Sequence, residues 1–126
     1  TAGGPAFAAF RDRYKKAYQR EPGLFVANTW DATTLVAIAA ESAKSTRGTV
    51  IKDHIRRIAN PPGQVVTDVC EALRLVRQGK EINYQGASST LDLDAQGDVV
   101  GSYDIWTIAD DGKLKNLGSI TIGGSE

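Results

Sequence analysis

The apolar residues of this chain change their spacing once, near Gly86, and that change restricts the possible folds more than any other feature. Before Gly86 they recur every three or four positions, as in helices; after it they alternate, as in strands. The order predicts four helices followed by about three strands. Because so few strands offer four helices little sheet to cover, we expect that the sheet is completed by segments outside this chain.

The first helix is expected over residues 7–18, with its aromatic residues on one face, and it ends before Pro22-Gly23. Leu24-Phe25-Val26 then reads as a short extended stretch. A second, alanine-rich helix is predicted over about 31–44, capped by Thr29 or Asp31 and buried on more than one side.

Two more helices are predicted over about 48–59 and 66–78, with Gly79 as the C-terminal cap of the last one. Beyond Gly86, extended segments are expected around 91–94, 103–109 and 114–122, and Asp111-Gly112 marks a hairpin turn between the last two.

The balance of charged side chains argues against nucleic acid and anionic membranes as partners. Among 126 residues, fifteen basic side chains match fifteen acidic ones, so no net field favours nucleic acid or an anionic membrane. No apolar run approaches the roughly 20 residues that span a bilayer. The chain lacks methionine and begins without a signal peptide pattern, which we interpret as processing or a fragment.

The acidic stretch LDLDAQGDVVGSYDIW resembles a calcium loop at its first positions, Asp92 and Asp94. An EF-hand loop also needs a bidentate glutamate at its twelfth position, where this chain has Tyr103. A turn at Gly97-Asp98 between strands is the preferred interpretation. No metal site and no cofactor are therefore predicted.

Catalytic residues are also not indicated. His54, the single histidine, is expected on the surface, and Cys70 is expected as a small core or boundary residue. Neither a nucleophile elbow nor a phosphate-binding glycine motif occurs. The sequence predicts a protein that is not an enzyme.

Several segments, taken together, resemble type I periplasmic solute-binding proteins of ABC importers, in the branch that binds leucine, isoleucine and valine. The aromatic helix leads into a segment ending Asn28-Thr29-Trp30-Asp31-Ala32, similar to the family's Tyr-Asp-Ala before an alanine-rich helix, with Trp30 replacing the tyrosine. Residues 79–98 are similar to the family's GxxINYxGASG…DFDxxGD. Tyr103-Asp104-Ile105-Trp106 resembles its last strand before Asp-Gly-Lys.

The resemblance implies an α/β, two-lobe fold with a ligand cleft between the lobes, of which this chain is the C-terminal third. Residues 1–4 would end one interlobe crossover, and residues 5–101 would be the C-terminal segment of the first lobe. Residues 102–126 would form the final crossover and the strands that complete the second lobe.

The function implied by the resemblance is capture of a branched-chain or other small apolar amino acid and its delivery to a membrane permease. Phe25, Asn28 and Trp30 are the expected ligand-binding residues, and Gly101, Ser102 and Tyr103 the expected hinge. The expected partners are an amino acid, the N-terminal remainder of the protein and the ABC permease, in the periplasm or outside the cell. An extracellular amino-acid sensor of the same fold and a small structural module are the alternatives.

Overall fold

The computed structural model describes residues 3–123, and in that part of the chain four helices and two small sheets are present. In chain order the elements are α1 (Phe7–Tyr18), α2 (Val26–Ala43), α3 (Gly48–Ala59), β1 (Gln64–Val66), α4 (Val69–Arg77), β2 (Ile82–Tyr84), β3 (Gly101–Ile108) and β4 (Leu114–Ile122). The predicted α/β class is confirmed. Residues 1 and 2 of the predicted first crossover, and 124–126 of the last segment, lie outside the described residues.

A strand–helix–strand unit organises the first sheet. β1 and β2 are parallel, with Val66 beside Tyr84, and α4 connects them. α4 starts at Asp68, whose side-chain carboxylate accepts from the Glu71 amide at 3.0 Å. This cap satisfies one of the amides that a helix start leaves without a partner.

The main core lies between this small sheet and the helices α2, α3 and α4. Ile38 of α2, Ile58 of α3, Leu75 of α4 and both Ile82 and Tyr84 of β2 are buried together there. Their apolar surface, removed from water, holds the helices to the sheet.

The second sheet is a hairpin of β3 and β4, with its turn at Asp111-Gly112 as predicted. Gly112 has φ 77°, which a glycine adopts without strain. No residue of β3 or β4 is buried, and large apolar side chains such as Trp106 and Leu117 are exposed.

The start of α2 corrects one prediction. Leu24-Phe25-Val26 is not extended: Phe25 has φ 61°, and the helix begins at Val26 rather than near residue 31. Neither Thr29 nor Asp31 caps it. The Thr29 hydroxyl donates to the Phe25 carbonyl, and the Asp31 carboxylate is used elsewhere in the structure.

The short strands were missed because three residues show too little alternation to reveal a period. α4 begins at Val69, and part of the segment predicted as its first turn is β1 instead. Near residue 91 the predicted strand is reduced to one bridge between Leu93 and Val99. The backbone of Leu93 pairs with the side chain of Asn60, whose amide nitrogen donates at 2.7 Å.

Two single residues also depart from expectation. Cys70 is exposed, so its prediction as a core or boundary residue is wrong; the inward positions of α4 are Ala72 and Leu75. His54 is half-buried, with Nδ1 2.9 Å from the Ser42 hydroxyl oxygen.

Candidate ligand-binding site

The carboxyl ends of β1 and β2 lie at one edge of the parallel sheet, because Val66 and Tyr84 are paired there. In open α/β sheets, ligands bind in the crevice outside this edge. The loop that follows β2, residues 85–89, therefore occupies the position where a ligand site is expected.

A buried carboxylate fixes this loop to α2. Asp31 is only 2% exposed. Its Oδ1 accepts from the Ala87 amide at 2.9 Å, and its Oδ2 accepts from both the amide and the hydroxyl of Ser88. The Trp-Asp-Ala and Gly-Ala-Ser segments, noted separately in the sequence, are thus parts of one junction.

Two glycines allow three segments to meet at this junction. A Cβ at Gly86 would overlap the Asp31 carboxylate, and one at Gly4 would overlap the backbone of Gly86. Without side chains, Gly4 donates its amide to the Ala87 carbonyl, and Ala6 donates to the Gly86 carbonyl, both at 3.1 Å. The start of α1, the loop after β2 and the first half of α2 are therefore held in one arrangement.

Tyr84 lies beneath the junction. Its hydroxyl is buried and has no hydrogen-bond partner among the described residues. Burial, together with the nearby Asp31 carboxylate, raises the pKa of Tyr84 to about 12. On either side of it in the chain, buried Asn83 of β2 and Gln85 of the following loop are joined through their side chains, with Gln85 Nε2 donating to Asn83 Oδ1 at 3.1 Å.

Two of the predicted ligand-binding residues lie at the exposed start of α2. Phe25 is 76% exposed, Asn28 is exposed, and none of the described side chains caps this helix. No acidic residue occupies its first turn, in contrast to α4. The uncapped end and the adjacent Phe25 ring are thus available to a ligand near the carboxyl edge.

Trp30, the third predicted residue, faces α1 instead. Its ring centroid lies 5.8 Å from that of Phe10. It lines a groove of about 480 Å³ between α1 and α2, from which Phe25 and Asn28 are absent. The lining residues are Phe10, Arg13, Tyr14, Ala17, Tyr18, Val26, Thr29, Trp30 and Thr33.

The sequence showed the aromatic stripe of α1 but not what it would face. Tyr14 and Trp30 share a groove because α2 begins five residues earlier than predicted and brings its first two turns beside α1. A prediction that placed the start of α2 at Val26 would have revealed this groove.

A smaller cavity, of about 180 Å³, lies where β2 begins. Arg77 of α4 donates to Glu41 of α2 across it, with Nε 2.9 Å from Oε1, and this contact lowers the pKa of Glu41. α2 and α4 both end here, so the basic side chains around it complement the negative ends of the helix dipoles.

The predicted hinge residues lie at the start of β3, where Gly101 pairs with Ile122 and the Tyr103 ring lies close to the Gly101 backbone. Residues 3–123 contain no group of three or more histidine, cysteine or acidic side chains placed to hold a metal ion. None of the helices described in that range is long and apolar enough to cross a bilayer.

Comparison with known protein families shows to which family the chain belongs. The profile of the receptor family ligand binding region matches residues 2–111. The chain belongs to this family. No curated protein and no solved structure gave a match.

Membership confirms the predicted superfamily, that of type I periplasmic binding proteins, and its α/β fold. It also supports a receptor-like ligand-binding domain. A small-molecule ligand is the partner that this family implies.

Proposed function

We propose that residues 1–126 form the C-terminal part of the substrate-binding component of an ABC importer. This component captures a branched-chain or other small apolar amino acid between two lobes and delivers it to a membrane permease. It works in the periplasm or outside the cell and performs no chemistry on its ligand. The N-terminal remainder of the protein supplies the rest of the sheet and the polar ligand contacts.

The observation that carries the proposal is the junction at the carboxyl edge. Asp31 holds the loop after β2 against α2, so the exposed start of α2 has a fixed position at this edge. The uncapped amides favour a carboxylate, because the positive end of a helix dipole attracts negative charge. The apolar ring of Phe25 beside them suits an apolar side chain.

Motion of the lobes completes the proposed cycle. Gly101, Ser102 and Tyr103 are the first residues of β3, where the chain enters the exposed hairpin after the helical part. A hinge there would let the two lobes close around an amino acid and present the closed form to the permease.

Calorimetric titration of the complete protein with a panel of amino acids tests this function. We expect leucine, isoleucine or valine to bind, and Phe25→Ala to weaken binding by roughly 10- to 100-fold, the effect of no longer burying a phenyl ring. Leu24→Ala is the matched control, because Leu24 is an adjacent, exposed apolar residue. Absence of binding by every amino acid would refute the proposed ligand class.

An extracellular amino-acid sensor is the second candidate, favoured by membership in a receptor family. Uptake of labelled amino acid in membrane vesicles separates the two roles. Uptake that depends on added binding protein supports the importer, whereas ligand binding without any stimulation of uptake supports the sensor.

A further inference from the structure

The groove between α1 and α2 has the properties of a second small-molecule site. Its volume of about 480 Å³ lies within the range of pockets that hold small ligands, about 300–1,000 Å³. Phe25 and Asn28 do not line it, although their neighbours Val26 and Thr29 do, so the proposed amino-acid site at Phe25 does not account for the groove.

Aromatic rings form its walls. The rings of Phe10 and Trp30 are tilted by 43° at 5.8 Å, and those of Tyr14 and Tyr18 by 44° at 4.6 Å. Tilted and edge-to-face contacts are the arrangements that aromatic rings favour. A further planar ring between these side chains could continue the same packing.

The polar groups of the groove restrict the charge of its occupant. Among residues 3–123, no acidic residue lines it, and Arg13 is the only charged residue that does. The hydroxyl groups of Thr29 and Thr33 already donate to backbone carbonyls at 3.0 and 2.9 Å. A cation would therefore meet only Arg13, whereas an anion would find a charged donor.

Arg13 forms one exposed ion pair, and its other N–H donors have no partner among the described residues. Its Nη2 lies 3.0 Å from Oδ2 of Asp68, the capping residue of α4. Asp68 is itself fixed by the Glu71 amide, and these two contacts lower the pKa of its carboxyl. A guanidinium has five N–H groups in a fork that matches a carboxylate, and within the described part of the chain only Nη2 of Arg13 is engaged.

We propose that this groove binds a small aromatic carboxylate, with the ring among the aromatic side chains and the carboxylate on Arg13. The proposal rests on the ligand-binding nature of the family and not on the importer role. It adds a ligand class to the amino acids proposed for the carboxyl edge.

Calorimetric titration of the complete protein with benzoate, benzylamine and benzyl alcohol tests the proposal. The three probes share a ring and differ in charge. We expect benzoate to bind tightest and benzylamine weakest. Saturable binding of benzylamine as tight as that of benzoate, or no binding of benzoate, would overturn the proposal.

Two variants locate the site. Arg13→Gln should weaken benzoate binding about tenfold or more, to the level of benzyl alcohol, because it removes charge-assisted hydrogen bonds. Trp30→Ala should weaken the binding of both benzoate and benzyl alcohol. Arg11→Gln is the matched control, because Arg11 lies on the same helix, is paired with Glu21 and does not line the groove. Equal effects of the two arginine variants would contradict the assignment.

Leucine, titrated into the same samples, separates the two proposals. Benzoate binding without leucine binding would support the groove, and it would refute the amino-acid function if every other amino acid of the panel also failed to bind. Leucine binding without benzoate binding would do the reverse.

Discussion

The helical body, residues 4–93, and the hairpin, residues 101–122, are stabilised in different ways. The body buries side chains from three helices and from β2 in one core, and its loops are tied by side-chain hydrogen bonds. The hairpin has a ladder of backbone pairs that is interrupted by a register shift between Ile105 and Trp106, and it has no buried side chain.

This difference shows which structural features each region can determine by itself. In the body, burial specifies which face of each element points inward. An isolated two-stranded hairpin is at best marginally stable in water, and a strand with no buried face has a weakly specified register. The exposed apolar side chains of the hairpin agree with the proposal that its strands complete a sheet of the second lobe.

The largest expected effect comes from breaking the junction of the helical body. Asp31→Ala leaves the Ala87 amide and both donors of Ser88 without their acceptor, and we expect it to lower the free energy of unfolding by about 3 kcal/mol or more. Chemical denaturation monitored by circular dichroism measures this loss.

Ser102→Ala is the comparison in the hairpin, where the hydroxyl lies 3.4 Å from that of Thr121 at the surface. A loss from Asp31→Ala no larger than that from Ser102→Ala would contradict the central role of the junction.

The same contrast explains how much the sequence could predict. The helices α1 and α3 and the hairpin turn were predicted from local patterns, because Phe7–Tyr18 and Asp111-Gly112 follow rules that act over a few residues. β1 and β2 were missed because each has three residues and depends on a neighbour distant in sequence.

The candidate site was predicted less completely than the fold. Phe25, Asn28 and Trp30 came from the family resemblance, and their binding roles remain predictions. The structural role of Asp31 could not be predicted from its neighbours in sequence, because its carboxylate oxygens accept hydrogen bonds from residues more than fifty positions away. An aspartate near a helix start is typical of a cap, and tertiary contacts overrode that preference here.

A smaller effect is expected from the buried hydroxyl of Tyr84. The pKa of this group rises from its ordinary value near 10 to about 12 in the folded protein, mainly through burial. A raised folded-state pKa gives a contribution that is fully present below the unfolded pKa and is lost as pH rises toward the folded value. Stability should therefore fall between about pH 10 and 12, by up to about 1.4 kcal/mol per pH unit.

Tyr84→Phe should remove this component of the alkaline loss. At pH 7 the variant should be as stable as the wild type or slightly more stable, because the hydroxyl has no hydrogen-bond partner among the described residues. Urea denaturation at pH 7 and at pH 11 provides both comparisons. A large destabilisation at pH 7 would show that the hydroxyl is satisfied in solution.

The smallest expected effect comes from comparing the same change, isoleucine to alanine, in the two regions. In the chain of residues 1–126, Ile105→Ala in the hairpin should change stability by less than about 0.5 kcal/mol, since Ile105 is 47% exposed. Ile38→Ala in the body should cost about 2–5 kcal/mol, since Ile38 is fully buried. Within the complete protein, the cost of Ile105→Ala should rise to 1 kcal/mol or more, roughly the value for a side chain that becomes buried. An unchanged small cost there would mean that this face of the hairpin stays exposed, and it would contradict the proposal that these strands complete the sheet of a second lobe.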